Sequence, residues 1–310
     1  RPDGYVGKPP ELGTGVFAMD TGASSSTIPN FDSGFPVDFA FDRQINGTAN
    51  WDVGTRLTQG TYLNGNTSGA EGAWAPNSFD SNVGWNSNSG NNSNVQSWMW
   101  KRGKGFDVVT YSGTTETRQI PHSLSQTPEM IWVKSRTLSS GEWVVGHKGL
   151  NGGSSPWNYR LFLNATSAEA SASWAFANTA PTSTYFTGSY NTYTNNENYT
   201  YLAMLFASVT GISKVGYYSG DNASSREITV GFQPRFLLLR RIDTVTNWLV
   251  FDTTRGWTGG SSKYSLSPDS SDAQTTAYGY TGVPTSTGFT LNLIDETNAT
   301  GGNYIYYAHA

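Results

Sequence analysis

Three histidines, His122, His147 and His309, are all the imidazole this chain has for metal ligation or proton transfer. Each stands at a different place relative to the repeated landmarks described below, so they read as satisfied core or surface groups. With no cysteine in 310 residues, thiolate nucleophiles, disulfides and thiolate metal sites all drop out. Glycoside hydrolysis needs two carboxylates flanking a cleft. The position after the landmark proline region holds Asp38, then Met130, then Phe236, which offers no recurring pair. "DSSD" at 269–272 and "DETN" at 295–298 carry oxygen ligands for Ca²⁺ but lack EF-hand spacing, and turn-favouring acids account for both. "GKG" at 103–105 lacks the rest of a phosphate loop. Asn-x-Ser/Thr triplets at Asn46, Asn164, Asn198, Asn222 and Asn298 follow from composition alone. The expectation is a protein with no catalytic residue, no metal site and no cofactor.

Aromatic rings are the remaining chemistry, because a ring face can stack on an apolar or planar ligand. Trp51, Trp143 and Trp248 recur at one place in three segments, which is what burial selects, and they are expected in the core with Pro36, Pro128 and Pro234. Trp157 in "NGGSSPWNY" and Trp257 in "TRGWTGGSS" sit in glycine-rich connections, where the first segment has only "TRLTQGTY". Tyr190 and Tyr193 in "GSYNTYTNNENY" have no counterparts. Binding residues concentrate on loops, so Trp157, Trp257, Tyr190 and Tyr193 are the expected ligand contacts.

The elements that position these residues come in copies. "APTSTYF" (180–186) returns as "VPTSTGF" (283–289), 103 residues on, with its neighbours in order. "TPEMIWVKSRTLSSGEWVVGHKG" (127–149) answers to "QPRFLLLRRIDTVTNWLVFDTTRG" (233–256). A third, divergent copy at 13–54 places Gly22, Pro36 and Trp51 as counterparts of Gly113, Pro128 and Trp143, with "APNSF" (75–79) as its worn PTST site. The Gly-to-Pro spacing is 14, 15 and 14 residues and the Pro-to-Trp spacing 15, 15 and 14. Spacing that regular implies one common fold.

In each copy a short apolar run follows the proline, a polar turn follows the run, and a second strand opens with Trp. Continuous apolar runs such as Met130–Val133 read as strands covered on both faces. The expected fold is all-β: a lead segment 1–12 and three tandem antiparallel, jelly-roll-like β-sandwich repeats at 13–104, 105–209 and 210–310.

Composition agrees with strands joined by turns. Charged residues are 14 % and aromatics 14 %, with 35 glycines. A net charge of −4 offers no field for a nucleic-acid backbone, and no apolar stretch is long enough to span a bilayer. The opening "RPDGYVGKPPEL" is not a signal peptide, so the chain reads as processed or as part of a longer one.

The ordered set "GFDVVTYSG", "TPEMIWVK", "GEWVVGHKGL", "APTSTYF" and "GFQPRFLLLRR" resembles an uncharacterised repeated domain of tailed-phage virion proteins, especially those of marine phages and cyanophages. The resemblance covers residues 13–310. It implies a non-enzymatic virion component, such as a tail fibre, head fibre or capsid-decorating protein, assembled in the host cytoplasm and acting outside it. Homotrimerisation, other virion proteins and a host-surface glycan are the partners expected with it. It brings no catalytic residues. A carbohydrate-active enzyme or carbohydrate-binding module is the alternative, to be favoured by a carboxylate pair lining a pocket.

Overall fold

The computed structural model describes residues 12–23, 28–258, 264–276, 282–292 and 295–310. Residues 1–11 of the lead segment lie outside them. The first set of strands is β1 (Phe17–Thr21), β2 (Phe31–Asp32), β3 (Phe39–Gln44), β4 (Asp52–Thr55), β5 (Thr61–Asn64), β6 (Gly72–Ala73), β7 (Gly84–Trp85) and β8 (Val95–Trp100). The second is β9 (Phe106–Ser112), β10 (Arg118–Pro121), β11 (Met130–Ser135), β12 (Val144–His147), β13 (Tyr159–Phe162), β14 (Ala170–Ser171), β15 (Tyr185–Gly188) and β16 (Thr200–Phe206). The third is β17 (Ser213–Ser219), β18 (Arg226–Thr229), β19 (Phe236–Arg241), β20 (Leu249–Asp252), β21 (Gly288–Leu291) and β22 (Asn303–His309).

The main sheets run β1-β8-β3-β4-β5-β6, then β9-β16-β11-β12-β13-β14, then β17-β22-β19-β20, all antiparallel and in one topology. A two-stranded sheet accompanies each: β2-β7, β10-β15 and β18-β21. The registers Phe31↔Trp85, Ile120↔Phe186 and Ile228↔Phe289 make Trp85 the counterpart of the aromatic that closes each PTST motif. The expected match at "APNSF" is therefore corrected: the first segment reaches the same pairing six residues later, through "DSNVGW".

Alternation along the strands covers both faces. Phe39, Phe41, Met130, Trp132, Phe236 and Leu238 point into one large core, while Ile131, Val133, Leu237 and Leu239 point into outer cores that each belong to one segment. The large core draws on all three segments. A void of about 20 Å³, bordered by Phe39, Trp51, Trp132, Trp143, Phe236 and Leu238, marks where the three inner faces meet.

Trp51, Trp143 and Trp248 are buried there, at 2 %, 0 % and 1 % exposure. Each indole N–H leaves its own segment. Trp51 Nε1 donates to Ser267 O at 2.9 Å, Trp248 Nε1 to Phe162 O at 2.9 Å, and Trp143 Nε1 to Asn64 O at 3.0 Å. First holds third, third holds second, and second holds first. Main-chain bonds repeat the cycle: Gln274 N to Ile45 O, Glu169 N to Ile242 O and Glu71 N to Arg136 O. Sandwiches strung in tandem would carry separate cores. The fold is all-β and antiparallel as expected, and here the segments close a ring around a shared core, which gives the body a pseudo-threefold arrangement.

Two further landmarks have steric causes. A Cβ at Gly113 would stand 1.9 Å from Asn196 O, and one at Gly220 1.9 Å from Ala299 O. Only glycine admits that approach. Pro128 and Pro234 are buried and Pro36 is half-buried, each leading into its first inner strand.

Candidate functional site: a polar cleft in the first segment

The hairpins β3–β4, β11–β12 and β19–β20 superpose by register. At one position the cross-strand pairs are Asp42↔Asp52, Val133↔Val144 and Leu239↔Leu249. The valine and leucine pairs belong to the outer cores of their sheets. The first segment puts two carboxylates in the same place, and the outer core there ends short of them, at Ala40, Val95 and Met99.

A two-lobed cleft opens over the pair. One lobe, of about 490 Å³, is bordered by Arg43, Asn50, Asp52, Ser89, Asn91 and Asn92. The other, of about 320 Å³, is bordered by Asn50, Asp52, Tyr62, Asn64, Trp74, Asn77 and Ser89. Asn50, Asp52 and Ser89 stand where they join. Asp52 is half-buried and Asp42 fully buried. Asp42 Oδ2 accepts from Ser87 Oγ at 2.9 Å and Ser89 Oγ at 2.7 Å, whereas its Oδ1 is buried without a donor. Asn30 pins the serine turn, accepting from Ser87 N and donating to Ser87 O.

Burial pushes the Asp42 carboxyl up to about 8; the Asp52 charge adds to the rise, and the two serine hydroxyls oppose it. Burial likewise pushes Asp52 up to about 6. At neutral pH the pair therefore keeps a proton. Folded Asp42 holds its proton more tightly than an unfolded carboxyl near 3.9. Its contribution to stability is thus complete below about pH 4 and is lost as the pH rises to about 8. A tenfold change in proton affinity is worth about 1.4 kcal/mol. Asp42→Asn is expected to raise stability at pH 8 by about 1–3 kcal/mol and to flatten the decline between pH 5 and 8, read from denaturant midpoints. An unchanged slope would show that Asp42 is already ionised.

Other side chains fix the cleft walls. Trp74, 37 % exposed, meets Tyr62 edge to face at 5.4 Å and 90°. The main-chain N–H of Trp74 donates to Gly60 O at 2.7 Å. Arg43 lies over the Trp51 ring at 5.1 Å and points its donors at the carbonyls of Gln44, Gly47, Ser270, Ser271 and Asp272. It is a structural tie to the third segment, as Arg240 is to the second through Ala165 O and Ser167 O.

Residues 21–310 match a family described as a domain of unknown function (DUF7483). The chain belongs to that family. No curated protein matches it.

The loop aromatics of this DUF7483 chain are not the exposed set that their glycine-rich surroundings imply. Trp157 is buried against Phe176, edge to face at 5.4 Å. Trp257 is fully buried between Phe251 and Phe289, at 6.2 and 6.3 Å. Both loops fold back to cover the outer faces of their sheets, and neither ring is free to meet a ligand. Tyr193 is half-buried beside Trp174 and Phe162. Tyr190, at 49 %, is the exposed one of the four.

Two of the three histidines are absorbed by the core, and His122 is half-buried beside Thr182 O. His147 and His309 are buried, and burial pulls both down to about 3, leaving neutral rings. His147 Nδ1 accepts from Gly149 N at 2.9 Å, and Nε2 lies 3.4 Å from Tyr306 O. Among the described residues no three His, Asp or Glu side chains gather to hold a metal ion, and no helix is long and apolar enough to cross a membrane.

The carboxylate pair escapes a reading by landmarks because the first segment has one more residue between proline and strand. Pro36 precedes Phe39 by three, while Pro128 and Pro234 precede Met130 and Phe236 by two. Comparing Asp38 with Met130 and Phe236 is thus one residue out of register. Aligning the strands themselves sets Asp42 against Val133 and Leu239, and that contrast was the available signal.

Proposed function

We propose that this protein is a non-enzymatic virion component of the fibre or decoration kind, a rigid body whose first segment carries a recognition cleft for the host surface. The observation that supports the reading best is the contrast among the three hairpins. Two keep apolar pairs; one has Asp42 and Asp52 beneath an open polar cleft. The ordered motifs that resemble tailed-phage structural domains supply the setting. The ring supplies durability without disulfides, since each segment is anchored in the next. Because this threefold interlock lies within one chain, homotrimerisation is not needed to complete the core, and outward surfaces remain for other virion proteins.

Immunogold labelling of particles purified from a producing culture is expected to place the protein at discrete positions on the virion. Particles free of label, with all the protein in the soluble fraction, would overturn the virion assignment. The Asp42–Asp52 pair favours one second reading, a carbohydrate-active protein. Within that reading binding is better supported than hydrolysis, because Asp42 is 0 % exposed and two serine hydroxyls occupy its outer oxygen.

A further inference from the structure

We propose that the two-lobed cleft of the first segment binds a neutral oligosaccharide, with a sugar unit in each lobe and Asp52 at the junction. This names the ligand of the recognition cleft proposed above and rests on that reading.

Size comes first. Lobes of about 490 and 320 Å³ lie in the range that holds small ligands, and they share Asn50, Asp52 and Ser89 as a common border. One continuous ligand can therefore touch both. The chemistry of the walls then narrows the class. Asn50, Asn64, Asn77, Asn91 and Asn92 present carboxamides, which both donate and accept, as sugar hydroxyls do. Asn64 Oδ1 is buried with no donor, so a hydroxyl placed in the smaller lobe would satisfy an acceptor that the protein leaves unpaired. Trp74 adds a partly exposed ring whose tilt is set by Tyr62, suited to the apolar face of a pyranose.

Charge excludes the nearest competitors. An anionic ligand such as a phosphate or a uronic acid would need a cation, yet the Arg43 donors are directed at five main-chain carbonyls. Asp52 at the junction would repel it. The Asp52 carboxylate at the junction can instead accept from sugar hydroxyls, which matches an uncharged polyol.

The test uses the whole chain on an array of neutral, sulfated and uronic-acid oligosaccharides, followed by calorimetric titration of the best neutral ligand. Binding is expected for neutral chains of two or more units. Trp74→Ala is expected to weaken it at least tenfold with an unchanged thermal midpoint, and Asp52→Asn to weaken it as well. Val245→Ala, at an exposed side chain outside the cleft, is expected to bind as wild type does. Preference for acidic chains, no binding to any neutral chain, or a Trp74→Ala variant of full affinity would overturn the proposal. Failure here with gold-labelled virions would leave the structural role standing without this ligand. Shortening of the bound chain over time, lost in Asp52→Asn, would keep the site and overturn the non-enzymatic reading.

Discussion

Trp143→Ala is expected to lower the stability of the entire chain by about 3–5 kcal/mol, the cost of a large cavity in a core that cannot collapse around it. The side chain is fully buried, and its indole N–H reaches out of the second segment to Asn64 O in the first. Truncation removes both the ring and the donor. Because the core at this point is lined by residues of all three segments, the loss should appear as one cooperative transition at a lower temperature. Independent sandwiches would instead show an early step, the second segment melting while its neighbours stay folded. Scanning calorimetry separates the two outcomes through the ratio of calorimetric to van't Hoff enthalpy. Trp143→Phe refines the test, since it keeps most of the volume and loses the donor to Asn64 O. It is expected to cost about 1–2 kcal/mol less than alanine. Two resolved transitions in the wild-type protein would refute the shared core.

Local features of this fold were legible because their causes are local. The apolar runs after each proline mark strands buried on both faces, and Met130–Ser135 is buried at every position. The recurrent tryptophans mark inner faces, and the recurrent glycines mark a close backbone approach. Ring closure is a different kind of fact. The partner of Trp51 Nε1 is 216 residues away and that of Trp143 Nε1 is 79 away, and nothing in a strand's own sequence names a carbonyl so distant. Loop aromatics misled for a related reason. "SPWN" and "RGWT" sit in turn-forming text, yet the chain folds back there and uses each tryptophan to plug an outer core. The cleft depended on register: a single extra residue before β3 hid Asp42 from a comparison anchored on proline.

The third segment binds the first through a buried charge, and removing it should rank with the loss of a core tryptophan. Asp252 and Arg255 have side chains 0 % and 2 % exposed, with Asp252 Oδ2 at 2.7 Å from both Arg255 Nη2 and Nε. The same oxygen accepts from Trp98 Nε1 of the first segment at 3.0 Å. Its other oxygen accepts from Arg255 N at 2.9 Å and Thr254 Oγ1 at 2.6 Å, capping the short turn that follows β20. Asp252→Ala therefore strips an uncompensated guanidinium, an indole donor and a helix cap at once. Breaking a buried pair from one side costs about 3–5 kcal/mol, and that loss is expected here in denaturant unfolding. The hairpin itself does not require the carboxylate, since Thr55 and His147 hold the same register position in the other two. It follows that Asp252→Ala/Arg255→Met should recover much of the loss, because the second change removes the stranded charge and leaves an apolar stem under the Trp98 ring, over which Arg255 now lies at 5.4 Å. A double variant no more stable than Asp252→Ala would assign the cost to the cap and the indole bond rather than to the charge. A single variant within about 1 kcal/mol of wild type would mean that this buried charge does little to hold the third segment to the first.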